Sequence, residues 1–171
     1  MTFLSTIVMN EDIVDDLRLK CWDTTLLQNN NTFQRHPMIQ FEETFNAWLY
    51  NALTASPIPS EVKAYCFNLN SPSGYEEEGI FGIELIGSPE YIPDDEDLAC
   101  EEIWEPLERD LLIPLLYSTT NWEICLKKMH HLIELFLLSD NDASILLKQR
   151  DAVAIGFVDG NLDMIWVKKI R

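Results

Sequence analysis

Glu61-Val-Lys-Ala-Tyr-Cys-Phe-Asn-Leu69 and Gly79-Ile-Phe-Gly-Ile-Glu-Leu-Ile86 are the two runs whose reading decides the fold. In the first, Val62, Ala64 and Cys66 alternate with Lys63, Tyr65, Phe67 and Leu69, and the β-branched and aromatic content suits a strand. The second is equally β-rich, and Gly74 closes a turn between them. Together they predict a hairpin near 62–86 that pushes residues 75–78 out at its end. A second hairpin is predicted near 152–168, where the runs 152–158 and 162–168 flank Asp159-Gly160, residues that accept the positive φ of a tight hairpin turn.

Helices are predicted around these strands. Phe41, Phe45, Trp48, Leu49, Ala52 and Leu53 form one stripe at helical spacing over 39–54, stopped by Pro57 and Pro59. Trp122, Cys125, Leu126, Met129, Leu132, Ile133 and Phe136 form another over 121–138, with Thr120 and Glu123 spaced as a capping box. A helix over 11–21 follows from the Asn10 cap and the spacing of Ile13, Val14, Leu17 and Cys21. Pro106 suits the first position of a short helix through about Leu112, ended by Pro114. Without regular βαβ alternation or an internal repeat, the expectation is one α+β domain, 1–171, with a mainly antiparallel sheet. At 171 residues and 47% hydrophobic, the chain can build a core for it.

Charge is the other dominant signal. Between Glu76 and Asp110 lie fourteen acids and one base, Arg109, which accounts for thirteen of the chain's seventeen net negative charges. Such a block repels itself. Interspersed Tyr75, Phe81, Ile83, Leu85, Tyr91, Ile103 and Trp104 distinguish it from a disordered acidic tail. A folded anionic surface suits a cationic partner and argues against direct nucleic-acid binding, which needs many phosphate-contacting Lys and Arg. Lys168, Lys169 and Arg171 read as a small solubilising tip. The apolar N-terminus has no basic region and no stretch reaches membrane-spanning length, so neither a signal peptide nor a membrane anchor is expected. Cys21, Cys66, Cys100 and Cys125 show no CxxC pair and suit a reduced, cytoplasmic chain.

Catalytic and metal chemistry finds little support. Asp94 to Glu105 has the length of a calcium loop, but Leu98 and Ala99 stand where a ligand and a sharp-turn glycine belong. His130 and His131 are adjacent on a helix, where side chains diverge by about 100°, and with Glu134 and Lys127 they read as a polar face. Cys125 lies on the apolar stripe, away from both histidines. No P-loop, G-x-G-x-x-G or G-x-S-x-G occurs. No catalytic residue, metal or cofactor is expected.

In Tyr75-Glu-Glu-Glu-Gly79, Tyr91-Ile-Pro-Asp-Asp-Glu-Asp97, Cys100-Glu-Glu-Ile-Trp-Glu105 and Ile155-Gly-Phe-Val-Asp-Gly-Asn-Leu-Asp163, and in size and acidity, the chain resembles bacterial immunity proteins of polymorphic toxin and contact-dependent inhibition systems. The resemblance is one of general character across about 61–168. It implies a cytoplasmic, non-catalytic protein that binds and neutralises one cognate toxin domain, often a nuclease. The candidate partner-binding residues are Tyr75, Glu76, Glu77, Glu78, Tyr91, Asp94, Asp95, Glu96, Asp97, Glu101, Glu102 and Trp104. The aromatics would supply buried anchors, although Trp104 has an equal claim as a core side chain. Two other readings stand beside this one: an acidic adaptor or DNA mimic of a mobile element, and a small metal-binding enzyme using the acids with His36, His130 or His131.

Overall fold

The computed structural model describes residues 37–75, 78–92, 102–158, 160 and 162–169. The predicted helix over 11–21 and the apolar N-terminus lie outside them. The described elements run α1 (Pro37–Thr54), β1 (Ala64–Asn70), β2 (Phe81–Ser88), β3 (Asp110–Ile113), α2 (Leu115–Ser118), α3 (Trp122–Leu138), α4 (Asp142–Lys148), β4 (Ala152–Phe157) and β5 (Asp163–Val167). The strands form one sheet in the order β3-β2-β1-β4-β5, which makes the described part an α+β unit. No described helix is long and apolar enough to cross a membrane.

Both predicted hairpins form. β1 and β2 pair antiparallel from Ala64↔Ser88 to Asn70↔Gly82, and β4 and β5 pair antiparallel with a register shift at Val153/Ala154. The hairpins join through a parallel pairing of β1 with β4, Ala64 opposite Ala152 through Leu69 opposite Phe157. The sheet is therefore mixed, although three of its four pairings are antiparallel.

The two faces of the sheet differ in side-chain size, because alternate residues point opposite ways. Tyr65, Phe67, Leu69, Ile83, Leu85, Val153 and Ile155 face the main core, with the stripes of α1 and α3. Ala64, Cys66, Ile86, Ala152 and Ala154 form a second, small-residue cluster, against which Tyr91 and Leu162 pack. Val62, expected on the side of Ala64 and Cys66, joins the main core, since it precedes the strand. On α1 the whole predicted stripe is buried. On α3 Cys125, Met129, Leu132, Ile133 and Phe136 are buried, whereas Trp122 is 53% exposed and meets Phe157 edge-on at 5.8 Å.

Three local expectations are corrected. Residues 110–113 are strand, not the end of a helix: β2 offers them a ladder, and Ile113 buries its side chain in the core. The cap of α3 is Asn121, whose Oδ1 accepts from Ile124 N at 3.0 Å; Thr120 lies one residue outside. The short helix α4, not anticipated, is capped in the same way by Asn141, from Ser144 N at 2.8 Å.

Between α2 and α3, Thr119 adopts φ 60° and ψ −175°, a region close to glycine-only territory. Its hydroxyl accepts from Asn121 N at 3.2 Å, and neighbouring Thr120 sits against Gly79, where a Cβ would approach the Thr120 side chain to 2.9 Å. Replacing Thr119 by Gly should stabilise the protein by roughly 1 kcal/mol, the relieved strain exceeding the lost hydrogen bond. Urea denaturation should show a higher midpoint at unchanged slope.

Candidate functional site

The site is built around Arg109, the single base of the acidic stretch. Its Nε donates to Glu84 Oε2 at 2.9 Å, its Nη2 lies 2.9 Å from Glu102 Oε2, and its Nη1 lies 2.6 Å from Glu105 Oε2 and 3.0 Å from Glu102 Oε1. The planar guanidinium fork thus serves three carboxylates at once, a geometry that a lysine ammonium lacks. These partners, Glu84 foremost, hold the Arg109 pKa above its ordinary value.

The sheet positions Glu84 among other polar groups. It lies opposite Asp110 on β3 and Asn68 on β1, so one polar row crosses three strands. Asn68 is buried; its Nδ2 donates to Glu84 Oε1 at 3.1 Å, and its Oδ1 has no hydrogen-bond partner among the described residues. Partial burial, followed by the Glu84 charge, raises the Asp110 carboxyl pKa, with Arg109 opposing. Three carboxylates, those of Glu84, Glu102 and Glu105, therefore share one guanidinium, and with Asp110 beside them the group has a local excess of three negative charges.

Trp104 holds the segment that carries two of those acids. It is 8% exposed, stacks edge-on against Tyr65 at 5.9 Å, and bridges to Gly87, whose N–H donates to the Trp104 carbonyl at 2.7 Å. A Cβ on Gly87 would crowd Val62 at 3.0 Å and Trp104 at 3.2 Å, so the glycine makes this seat possible. The expectation that Trp104 is a free anchor for a partner does not fit this position. It is a core side chain, and it places Glu102 and Glu105 beside Arg109.

The other candidates fall into three groups. Tyr75 and Glu78 are exposed in the turn at the hairpin's end, where Glu78 N donates to the Tyr75 carbonyl at 3.1 Å. Tyr91 is half-buried on the small-residue cluster. Glu76, Glu77, Asp94, Asp95, Glu96, Asp97 and Glu101 lie outside the described residues. Not every described acid joins Arg109. The Glu108 carbonyl accepts from Trp48 Nε1 at 2.9 Å, and Glu108 borders a hollow with Asn51, Ala52 and Ala55 of α1 and the following turn. Arg109 itself was the residue missed as a site member; its signal was its isolation among fourteen acids.

Elsewhere, His130 and His131 approach the same Glu134 oxygen at 3.7 and 3.5 Å, beside a groove of about 500 Å³ lined by Trp122, Lys127 and Asp163. Among the described residues, no three His, Cys, Asp or Glu side chains are grouped to hold a metal ion. Burial pushes the Cys125 thiol up to about 12, opposite to what a nucleophile requires.

Two outcomes test this geometry. Arg109→Met should destabilise the protein by about 1–2 kcal/mol in equilibrium unfolding at neutral pH, solvent screening keeping the loss below that of a fully buried pair. Asp110→Asn should modestly raise stability at pH 7 and leave it unchanged at pH 2. The folded carboxyl titrates above its unfolded value, so the wild type gains stability as pH falls through that window, and the variant removes that gain. No protein-family model, curated protein or solved structure matches this chain.

Proposed function

We propose that this chain is a stoichiometric, non-catalytic inhibitor: a cytoplasmic immunity protein that captures a cationic toxin domain, with nucleases the class it suits best. The supporting observation is the Arg109 hub, which gathers four carboxylates on ordered backbone with three charges left unmatched. A nuclease must present positive charge to phosphates, and a fixed anionic surface meets that charge with little further ordering. Complementary fields also accelerate encounter, towards about 10⁸–10⁹ M⁻¹s⁻¹ at low salt. Speed matters to an inhibitor that must act before its target does. Exposed Tyr75 adds an aromatic contact at the hairpin's end.

The test is titration calorimetry against the purified product of the neighbouring upstream gene. A 1:1 complex is expected, weakened at least about tenfold between roughly 50 and 300 mM salt. The combined variant Glu102→Gln, Glu105→Gln and Asp110→Asn should weaken it by a further factor of about ten at low salt. No complex, or one indifferent to salt and to these changes, would defeat the reading.

A further inference from the structure

β3 is an edge strand: among the described residues it pairs with β2 alone. Leu85 N donates to the Arg109 carbonyl at 3.2 Å, which marks Leu85 and Arg109 as a hydrogen-bonded pair. Antiparallel alternation then gives the same status to Ile83 with Leu111 and Phe81 with Ile113. The N–H and C=O groups of Asp110 and Leu112 consequently point away from the sheet. Among the described residues nothing pairs with these two donors and two acceptors, which lie directly beside the Arg109 hub.

The same edge carries a hollow of about 390 Å³. Leu112 stands opposite Gly82, and both line the hollow between β3 and the start of the hairpin loop. A Cβ at Gly82 would strike Asn70 Oδ1 at 2.7 Å and Pro72 at 3.0 Å, so the glycine lets these two side chains close over β2 and form one wall of the hollow. Asn70, Ser71, Ser73 and Asp110 are among its lining residues, and among the described residues neither lysine nor arginine contributes to its wall. Asp110 is the hub carboxylate without an ion pair at Arg109, and its pKa is raised by burial and by Glu84, so it is short of positive charge. Leu112 on the edge is 49% exposed, and beyond Pro114 the helical Leu115 and Leu116 are exposed by 43% and 74%.

We propose that the cationic partner docks by adding a short extended segment to the free edge of β3, with a lysine or arginine side chain of that segment seated in the Gly82 hollow against Asp110. The open backbone groups supply the pairing, the hollow and its acid supply the choice of side chain, and exposed Leu112 receives an apolar neighbour on the added strand. Pro114, which cannot donate, ends the edge and limits the added pairing to a few residues. This inference rests on the reading that the partner is cationic and adds how the partner is held.

The probe is a capped octapeptide of alternating lysine and valine, added at about 1 mM to the intact protein at low salt, with a glutamate-for-lysine twin as control. Amide exchange resolved by NMR should slow at Asp110 and Leu112 with the lysine peptide only. Leu112→Pro, which removes an outward N–H without breaking a sheet hydrogen bond, and Asp110→Asn, an exposed conservative change, should each weaken binding about fivefold or more. Slowing elsewhere, equal slowing by both peptides, or none would overturn the proposal. A full-strength complex of the neighbouring gene's product with Leu112→Pro would overturn the docking mode while leaving the inhibitor reading intact. Absence of any toxin complex, with the peptide effect present, would remove the inhibitor reading and keep the edge.

Discussion

A guanidinium among carboxylates is the constraint on which the middle of this molecule depends. The stretch from Glu76 to Asp110 carries thirteen excess negative charges, and its self-repulsion opposes a compact state. Arg109 reverses that locally. It joins Glu84, in the body of the sheet, to Glu102 and Glu105 on the segment leading to β3. The network lies at the margin of the sheet and is partly solvated, a setting in which ion pairs contribute modestly to stability. Its larger effect is geometric, since it fixes where carboxylates stand and leaves some of them uncompensated.

A second, apolar device works beside the ionic one. Trp104 enters the main core at the side of Gly87, and Trp48 of α1 donates to the Glu108 carbonyl. The acidic segment is therefore fastened by two indoles, one at each end of residues 104–108, while its carboxylates remain at the surface. Aromatic burial supplies the attachment, and the charge stays at the surface. Residues expected to share one role have divided: Trp104 went inward, and Tyr75 stayed outside.

What the sequence made legible was local. The stripes on α1 and α3 and both hairpins follow from spacing and turn residues within some twenty positions. β3 was misread because Pro106 and the acids before it imitate a helix start; the strand exists because β2 presents an edge to it. The parallel partnership of β1 with β4 has no local signature at all. Neither has the hub, since Glu84 lies 25 residues from Arg109 and meets it only after the hairpin and β3 are paired. Glu105, four positions from Arg109, was within reach of inspection. The shift of the α3 cap from Thr120 to Asn121 reflects competition between neighbouring cap-forming residues, both chemically competent.

The parallel β1–β4 pairing also sets an order of assembly. Roughly eighty residues separate the two strands, so their meeting carries a large loop-closure entropy, whereas each hairpin closes over a short span. On the ribosome the β1–β2 hairpin and α1 are available long before β4 has been made. During that interval one side of β1 has no neighbour, although both of its faces end up buried. The dense charge on the adjoining segment keeps nascent copies apart while that side stands open. The repulsion that burdens the finished fold is thus a safeguard during its synthesis.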